Sequence, residues 1–190
     1  LLSLSLDDYF VNREDTPKNE DGSYDFESLQ AVDVDLFNSQ AERLLQGESV
    51  CLPHFDFITG KRYYDTKKTT LSRDGILIVE GLHALNDKLV RYVSRERQYK
   101  VSVGVWTQLP VDELNRISTS DTRIIRRLIR DNRTRGRNPE VTLEAWDGVR
   151  RGEDINIYPY RQDADALFDT SLLYEWAVMK PQAEALLATV

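Results

Sequence analysis

Apolar and polar positions alternate from the start of the chain: Leu2, Leu4 and Leu6 are spaced by serines, and Asp7-Asp8-Tyr9-Phe10 follows. That pattern predicts a short buried strand running into an acidic, aromatic loop. Residues 12–24 are charged and punctuated by Pro17 and Gly22, which reads as an exposed loop. Over residues 28–46, Leu29, Val32, Leu36, Phe37, Leu44 and Leu45 recur at helical spacing, and Gly47 supplies a stop. Residues 50–57 and 62–71 flank Thr59-Gly60-Lys61 and predict a hairpin. Residues 76–79 predict a second buried strand ending in Glu80-Gly81, residues 86–93 a short helix, and residues 99–106 a third strand. A long helix is expected over 111–134, broken by residues 135–139, and another over 141–151. Residues 156–159 read as irregular, 166–173 as a fourth strand and 179–188 as a closing helix. Short apolar strands alternating with helices or long excursions predict an α/β fold with a mainly parallel sheet.

The chain has 190 residues, 41% of them hydrophobic and 30% charged, enough to bury a core and too apolar for a disordered segment. Its apolar runs are far too short to span a bilayer, so no membrane partner is expected. One cysteine, Cys51, excludes a disulfide framework and fits a reducing, cytoplasmic setting. The net charge of −7 hides an asymmetry. Between Arg116 and Arg151 stand ten arginines, five acids and no lysine, a local +5 against −12 elsewhere. Arginine in place of lysine points to forked recognition of phosphate or carboxylate. A nucleic-acid coat is more often basic throughout, so nucleic acid is not expected as a partner.

Two carboxylates, Asp7 and Glu80, stand at the expected carboxyl ends of buried strands, where open parallel sheets bind ligands. One could take a proton from a hydroxyl while the other holds Mg²⁺. Either, taken alone, reads more readily as an acid that ends a strand and meets water. Within residues 121–137, Ile124, Ile125, Leu128 and Ile129 form an apolar stripe. Arg123, Arg127 and Arg130 form one ridge, and Arg126, Arg130 and Arg133 another. Few acids lie within three or four residues, so this face is expected to be open to an anionic ligand such as a transferring phosphoryl group. Tyr24-Asp25-Phe26 and Phe55-Asp56-Phe57 interleave aromatics with acids, suited to a planar base or to ordinary hairpin packing. His54 and His83 show no metal-ligand spacing and receive no role.

Leu4-Ser5-Leu6-Asp7-Asp8-Tyr9-Phe10, Ile78-Val79-Glu80-Gly81, the stretch 121–131 and Ala164-Asp165 together resemble the uridine kinase/phosphoribulokinase group of P-loop kinases, in order and in spacing. The resemblance runs over nearly the whole chain. It implies an α/β P-loop NTPase fold, ATP and Mg²⁺ as cofactors, and phosphoryl transfer to a nucleoside hydroxyl. It matches Asp7 to the acid that takes the acceptor proton and Glu80 to the acid near metal and phosphates. Tyr24, Asp25, Phe55, Phe57 and Arg62 fall on segments lining the nucleoside pocket. Arg127 and Arg137 match substrate-side lid arginines, and Arg130 and Arg135 those reaching the nucleotide phosphates, with Arg130 catalytic. The implied layout is a single partial kinase domain over 1–190, with a substrate hairpin at about 48–72 and an arginine-rich lid at about 111–160.

Three departures accompany the resemblance. Gly60 and Ala145 stand where uridine-cytidine kinases carry a base-reading histidine and glutamine. No G-x-x-x-x-G-K-[ST] motif occurs in the 190 residues. The chain is therefore expected to begin one βα unit late, leaving a gap between the Glu80 strand and the strand at 99–106. The 190 residues alone are expected to be inactive. Two further readings stand beside the nucleoside kinase: a non-catalytic nucleotide- or RNA-binding regulatory domain, and a phosphoribulokinase-like kinase of sugar phosphates. A homo-oligomer is compatible with all three.

Overall fold

The computed structural model describes residues 1–190. The chain divides into two compact units, residues 1–100 with 151–164, and residues 101–150 with 165–190.

In the first unit, β1 (Leu2–Ser5) pairs in parallel with β4 (Leu77–Glu80). Beyond β1 the chain tightens into a 3-10 turn, Leu6–Tyr9, so Asp7 sits on a turn. Helix α1 (Val34–Leu45) starts later than its apolar spacing suggests. Asp33 caps it, accepting from the Leu36 amide at 3.0 Å, and Leu29–Ala31 forms a separate 3-10 turn. The hairpin forms as expected, β2 (Ser49–Asp56) against β3 (Lys61–Thr70), with a register shift between Cys51 and Pro53. Leu4, Leu6, Tyr9, Phe37, Leu44, Val50 and Leu89 belong to one buried apolar cluster. The helix expected over 86–93 does not form; the segment is a string of turns. Asn38 of α1 satisfies its backbone instead, donating to the Leu89 carbonyl at 2.7 Å and accepting from the Arg91 amide at 3.0 Å.

In the second unit, β5 (Val101–Gly104) pairs in parallel with β8 (Ala166–Asp169). The helix expected from residue 111 begins eight residues later. Leu109–Pro110 (β6) and Arg116–Ile117 (β7) form a small antiparallel ribbon closed by Asp112, which accepts from Leu114 and Asn115. Ser118 and Asp121 then make a reciprocal capping box, and α2 runs from Thr119 to Arg135. The expected helix at 141–151 is two pieces, α3 (Pro139–Glu144) and α4 (Trp146–Asn156), the latter extending into the first unit. Helix α5 (Glu175–Leu187) carries Pro181 within it and begins four residues before its expected start.

Within each unit the parallel sheet has two strands, β1 with β4 in the first and β5 with β8 in the second. No helix is long and apolar enough to cross a membrane.

Candidate functional site

In the first unit the parallel register sets Ser5 beside Glu80, the last residue of β4. Asp7 follows two residues after Ser5, so both carboxylates stand at the carboxyl edge of one strand pair. Gly81 keeps that edge tight. Its φ is +140°, and a Cβ there would lie 2.7 Å from the Leu6 Cβ.

The aromatic hairpin is tied to the same turn. Asp8 accepts from the Phe55 amide at 3.2 Å. The rings of Phe10 and Phe55 lie 5.6 Å apart, and those of Phe55 and Phe57 5.3 Å apart. Asp7, Phe55 and Phe57 thus come from one continuous piece of structure. The Asp56 carboxylate accepts from the Ile58 and Thr59 amides and closes the turn. Those hydrogen bonds hold its pKa below the ordinary value. Arg62 is engaged by Asp33 at 3.0 Å, and its amide donates to Asn12. Tyr24 packs on Phe26 with Lys18 over its ring, and Asp25 accepts from the Glu27 amide.

Two features of this unit escape sequence reasoning. Arg13 lies across the hairpin turn and donates to the Phe57 carbonyl at 2.6 Å, so that a Cβ at Gly60 would meet it at 2.8 Å. His54 lies between Asp8 and Asp65, 3.6 and 3.2 Å away. Neither has a local signal, because every partner is far away in sequence. His83 is buried, and burial pushes its pKa below the ordinary 6.5, opposed in smaller measure by the Ser28 backbone and the Asp25 carboxylate.

In the second unit the expected arginine face forms on α2. Arg123, Arg126, Arg127 and Arg130, with Trp146, line a cavity of about 370 Å³. Two acids nevertheless engage this face. Arg126 is held by Glu175 and donates to the Thr170 carbonyl at 2.8 Å. Asp131, fully buried, accepts from Arg130 Nε at 3.0 Å and stands 3.5 Å from Arg127 Nε. Glu175 was illegible because it lies 49 positions from Arg126. Asp131 was legible, being four residues from both Arg127 and Arg135.

The profile of the Phosphoribulokinase / Uridine kinase family matches residues 3–172. The chain belongs to this family. Its α/β architecture with parallel strand pairs is that of these P-loop kinases. A uridine kinase of Bacillus pumilus is 30% identical over 168 residues, 88% of this chain and 71% of that protein. A uridine kinase of Deinococcus deserti is 29% identical over 166 residues, 86% and 71% respectively. A mouse uridine-cytidine kinase-like protein is 30% identical over 168 residues, 87% of this chain and 27% of its own length. Within the kinase family, then, this chain brings its strand-end acids and aromatic hairpin together in one unit and its arginine helix in the other.

The residues also fit the groups that such kinases employ. Four arginines around one cavity suit a chain of phosphates. No cluster of three or more His, Cys, Asp or Glu is present that could hold a metal by itself. Mg²⁺ needs no such cage, because it binds through one or two carboxylates, water and substrate phosphates. The exposed Glu80 carboxylate fits that partial role.

Proposed function

We propose that this chain is the acceptor- and lid-bearing part of an ATP-dependent nucleoside kinase. The observation that carries the proposal is the Ser5–Glu80 register, which puts Asp7 and Glu80 on one sheet edge beside the Phe10–Phe55–Phe57 cluster. The aromatic rings orient a planar nucleoside, with Tyr24, Asp25 and Arg62 contributing to the acceptor side. Asp7 takes the proton of the attacking hydroxyl as the new O–P bond forms and the bond to the leaving diphosphate breaks. Arg130 and Arg135 hold the nucleotide phosphates, while Arg127 and Arg137 act on the acceptor side of the transferring group. Glu80 would hold Mg²⁺ through water, the ion supplying charge neutralisation on the phosphates when bound.

Assay of the full-length protein with ATP, Mg²⁺ and a nucleoside panel tests the reading, and absence of turnover by any nucleoside would defeat it. Asp7→Asn in an active protein is expected to lower kcat by roughly 10²- to 10⁴-fold, the usual value of a positioned base. The 190 residues alone contain no glycine-rich phosphate loop and are expected to show no turnover.

A second reading, phosphorylation of a sugar phosphate, draws on one observation. The Arg13 guanidinium lies over the hairpin turn beside Phe57, a cation that a neutral nucleoside does not require. Including sugar monophosphates in the same panel separates the two.

A further inference from the structure

Asp131 has 0% exposure, yet it lies on α2 among the most strongly cationic residues of the chain. Its Oδ1 accepts from Arg130 Nε at 3.0 Å and from a terminal nitrogen of the same guanidinium at 2.8 Å. Arg127 Nε stands 3.5 Å from Oδ2, and Arg135 reaches within 4.0 Å of Oδ1. The Asp131 carbonyl accepts from the amides of Gly136 and, at 3.1 Å, Arg137, as the chain leaves the helix through the left-handed Gly136. The side chains of three arginines and the backbone of a fourth therefore converge on one residue. These four, Arg127, Arg130, Arg135 and Arg137, are the clamp assigned above to the phosphates and the acceptor.

Burying a carboxylate is costly unless its partners are well placed. A helix whose arginines only met water would need no acid here, since guanidinium groups are solvated without one. Long arginine side chains have many rotamers, and a clamp that must order them on binding loses affinity. One carboxylate bonded to Arg130 and within ion-pair reach of Arg127 and Arg135 restrains their stems and leaves the cluster net positive. It also limits repulsion among the arginines before any ligand arrives. We infer that Asp131 is the positioning residue of this clamp, acting through the arginines to preorganise them for a polyphosphate. The inference rests on the kinase reading only in taking that ligand to be the phosphate chain of a nucleotide.

Inorganic tripolyphosphate, titrated calorimetrically into the chain, supplies a probe independent of turnover. Asp131→Asn keeps the shape of the side chain and removes its charge. Positioning predicts roughly tenfold weaker tripolyphosphate binding, the equivalent of one lost charge-assisted contact. A purely Coulombic role predicts the opposite sign, tighter binding once a negative charge is gone. Glu184→Gln removes the same charge from α5, at an acid beside Lys180 and not among the cavity arginines, and is expected to bind tripolyphosphate as well as or better than the parent. Equal or tighter binding by Asp131→Asn overturns the inference while leaving the phosphate-handling face intact. No binding by the unmodified chain overturns both.

If Asp131→Asn fails to fold, nitrogen-15 NMR of the unmodified chain decides. Slowly exchanging Nε–H signals from Arg127 and Arg130, present before ligand is added, support preorganisation. Signals that appear only on adding tripolyphosphate refute it.

Discussion

In the first unit, apolar side chains from β1, α1, β2 and the intervening turns pack into one cluster around Leu4, Phe37 and Leu44. The second unit buries Val105, Leu128, Val149 and Ala183, and gives its most protected place on α2 to the carboxylate of Asp131. The strand-end acids and the hairpin aromatics thus rest on ordinary hydrophobic packing, whereas the arginine helix rests on ion pairs, Arg126 with Glu175 and three arginines with Asp131. On the function proposed above, the difference follows from what each part would do. A pocket for a planar ligand needs rigid rings, and burial supplies rigidity without direction. Guanidinium groups meant for phosphate cannot be buried in hydrocarbon, so their order has to come from directed bonds to an acid.

Five substitutions and one pH titration probe that contrast. All three tryptophans, Trp106, Trp146 and Trp176, belong to the second unit, so their fluorescence reports on it alone. Phe37→Ala is expected to cost most, about 3–5 kcal/mol, because a buried ring in edge contact with Tyr9 at 5.4 Å is lost to a cavity. Urea unfolding followed by far-ultraviolet circular dichroism measures it. If the midpoint stays within error of the parent, the apolar account of the first unit is wrong. Asp131→Ala is expected to cost about 3 kcal/mol, since it leaves the arginines without the acid buried among them. Here the tryptophan transition is expected to move, and to respond to salt less steeply than that of the parent.

Gly81→Ala returns to the first unit. A side chain at φ +140° placed 2.7 Å from Leu6 is expected to cost about 1–3 kcal/mol. In an active full-length kinase it is also expected to lower kcat, because the Glu80 edge must shift. Unchanged melting temperature and turnover would show that the edge is softer than the packing suggests. Ser118→Ala removes the capping box of α2, an effect of about 1 kcal/mol visible in the tryptophan melt.

The smallest effect is a slope. His83 is held neutral, with a folded pKa below the unfolded 6.5, so below that value the unfolded chain takes up a proton that the folded chain does not. Stability of the first unit is expected to decline as pH falls from 7 through 6.5, and His83→Gln to flatten that decline. In the second unit, Asp169 is held far below the ordinary carboxylate range by the Ser171 and Thr107 hydroxyls and the Trp106 amide. Its contribution is present above the unfolded value of 3.8 and is lost only at more acid pH. A tryptophan transition as sensitive as the first unit between pH 7 and 5 would contradict this ordering.

The positions of the strands and the hairpin were legible because side chains sort by face within a few residues. Even so, β4 leaves Ile78 exposed where a buried strand was expected, and β5 and β8 are shorter than expected. Periodicity misread residues 86–93, whose backbone is completed by Asn38, some fifty positions away. It also ran α2 back over residues 111–117, where apolar spacing resembles a helix but Asp112 draws the chain into a turn. The arginine ridge forms on α2 as its helical spacing indicated, and two acids, Glu175 and Asp131, pair with it.

The residue types and their order were enough to mark the strand-end acids, the aromatic hairpin, the arginine helix and the kinase family, since each depends on local pattern or on spacing along the chain. Which arginines are pinned, and by what, was decided by tertiary structure. The Arg126–Glu175 pair and the lie of Arg13 across Gly60 join residues more than forty positions apart. Only the folded chain can specify such pairs, because any carboxylate or carbonyl can partner an arginine until packing settles which one stands within reach.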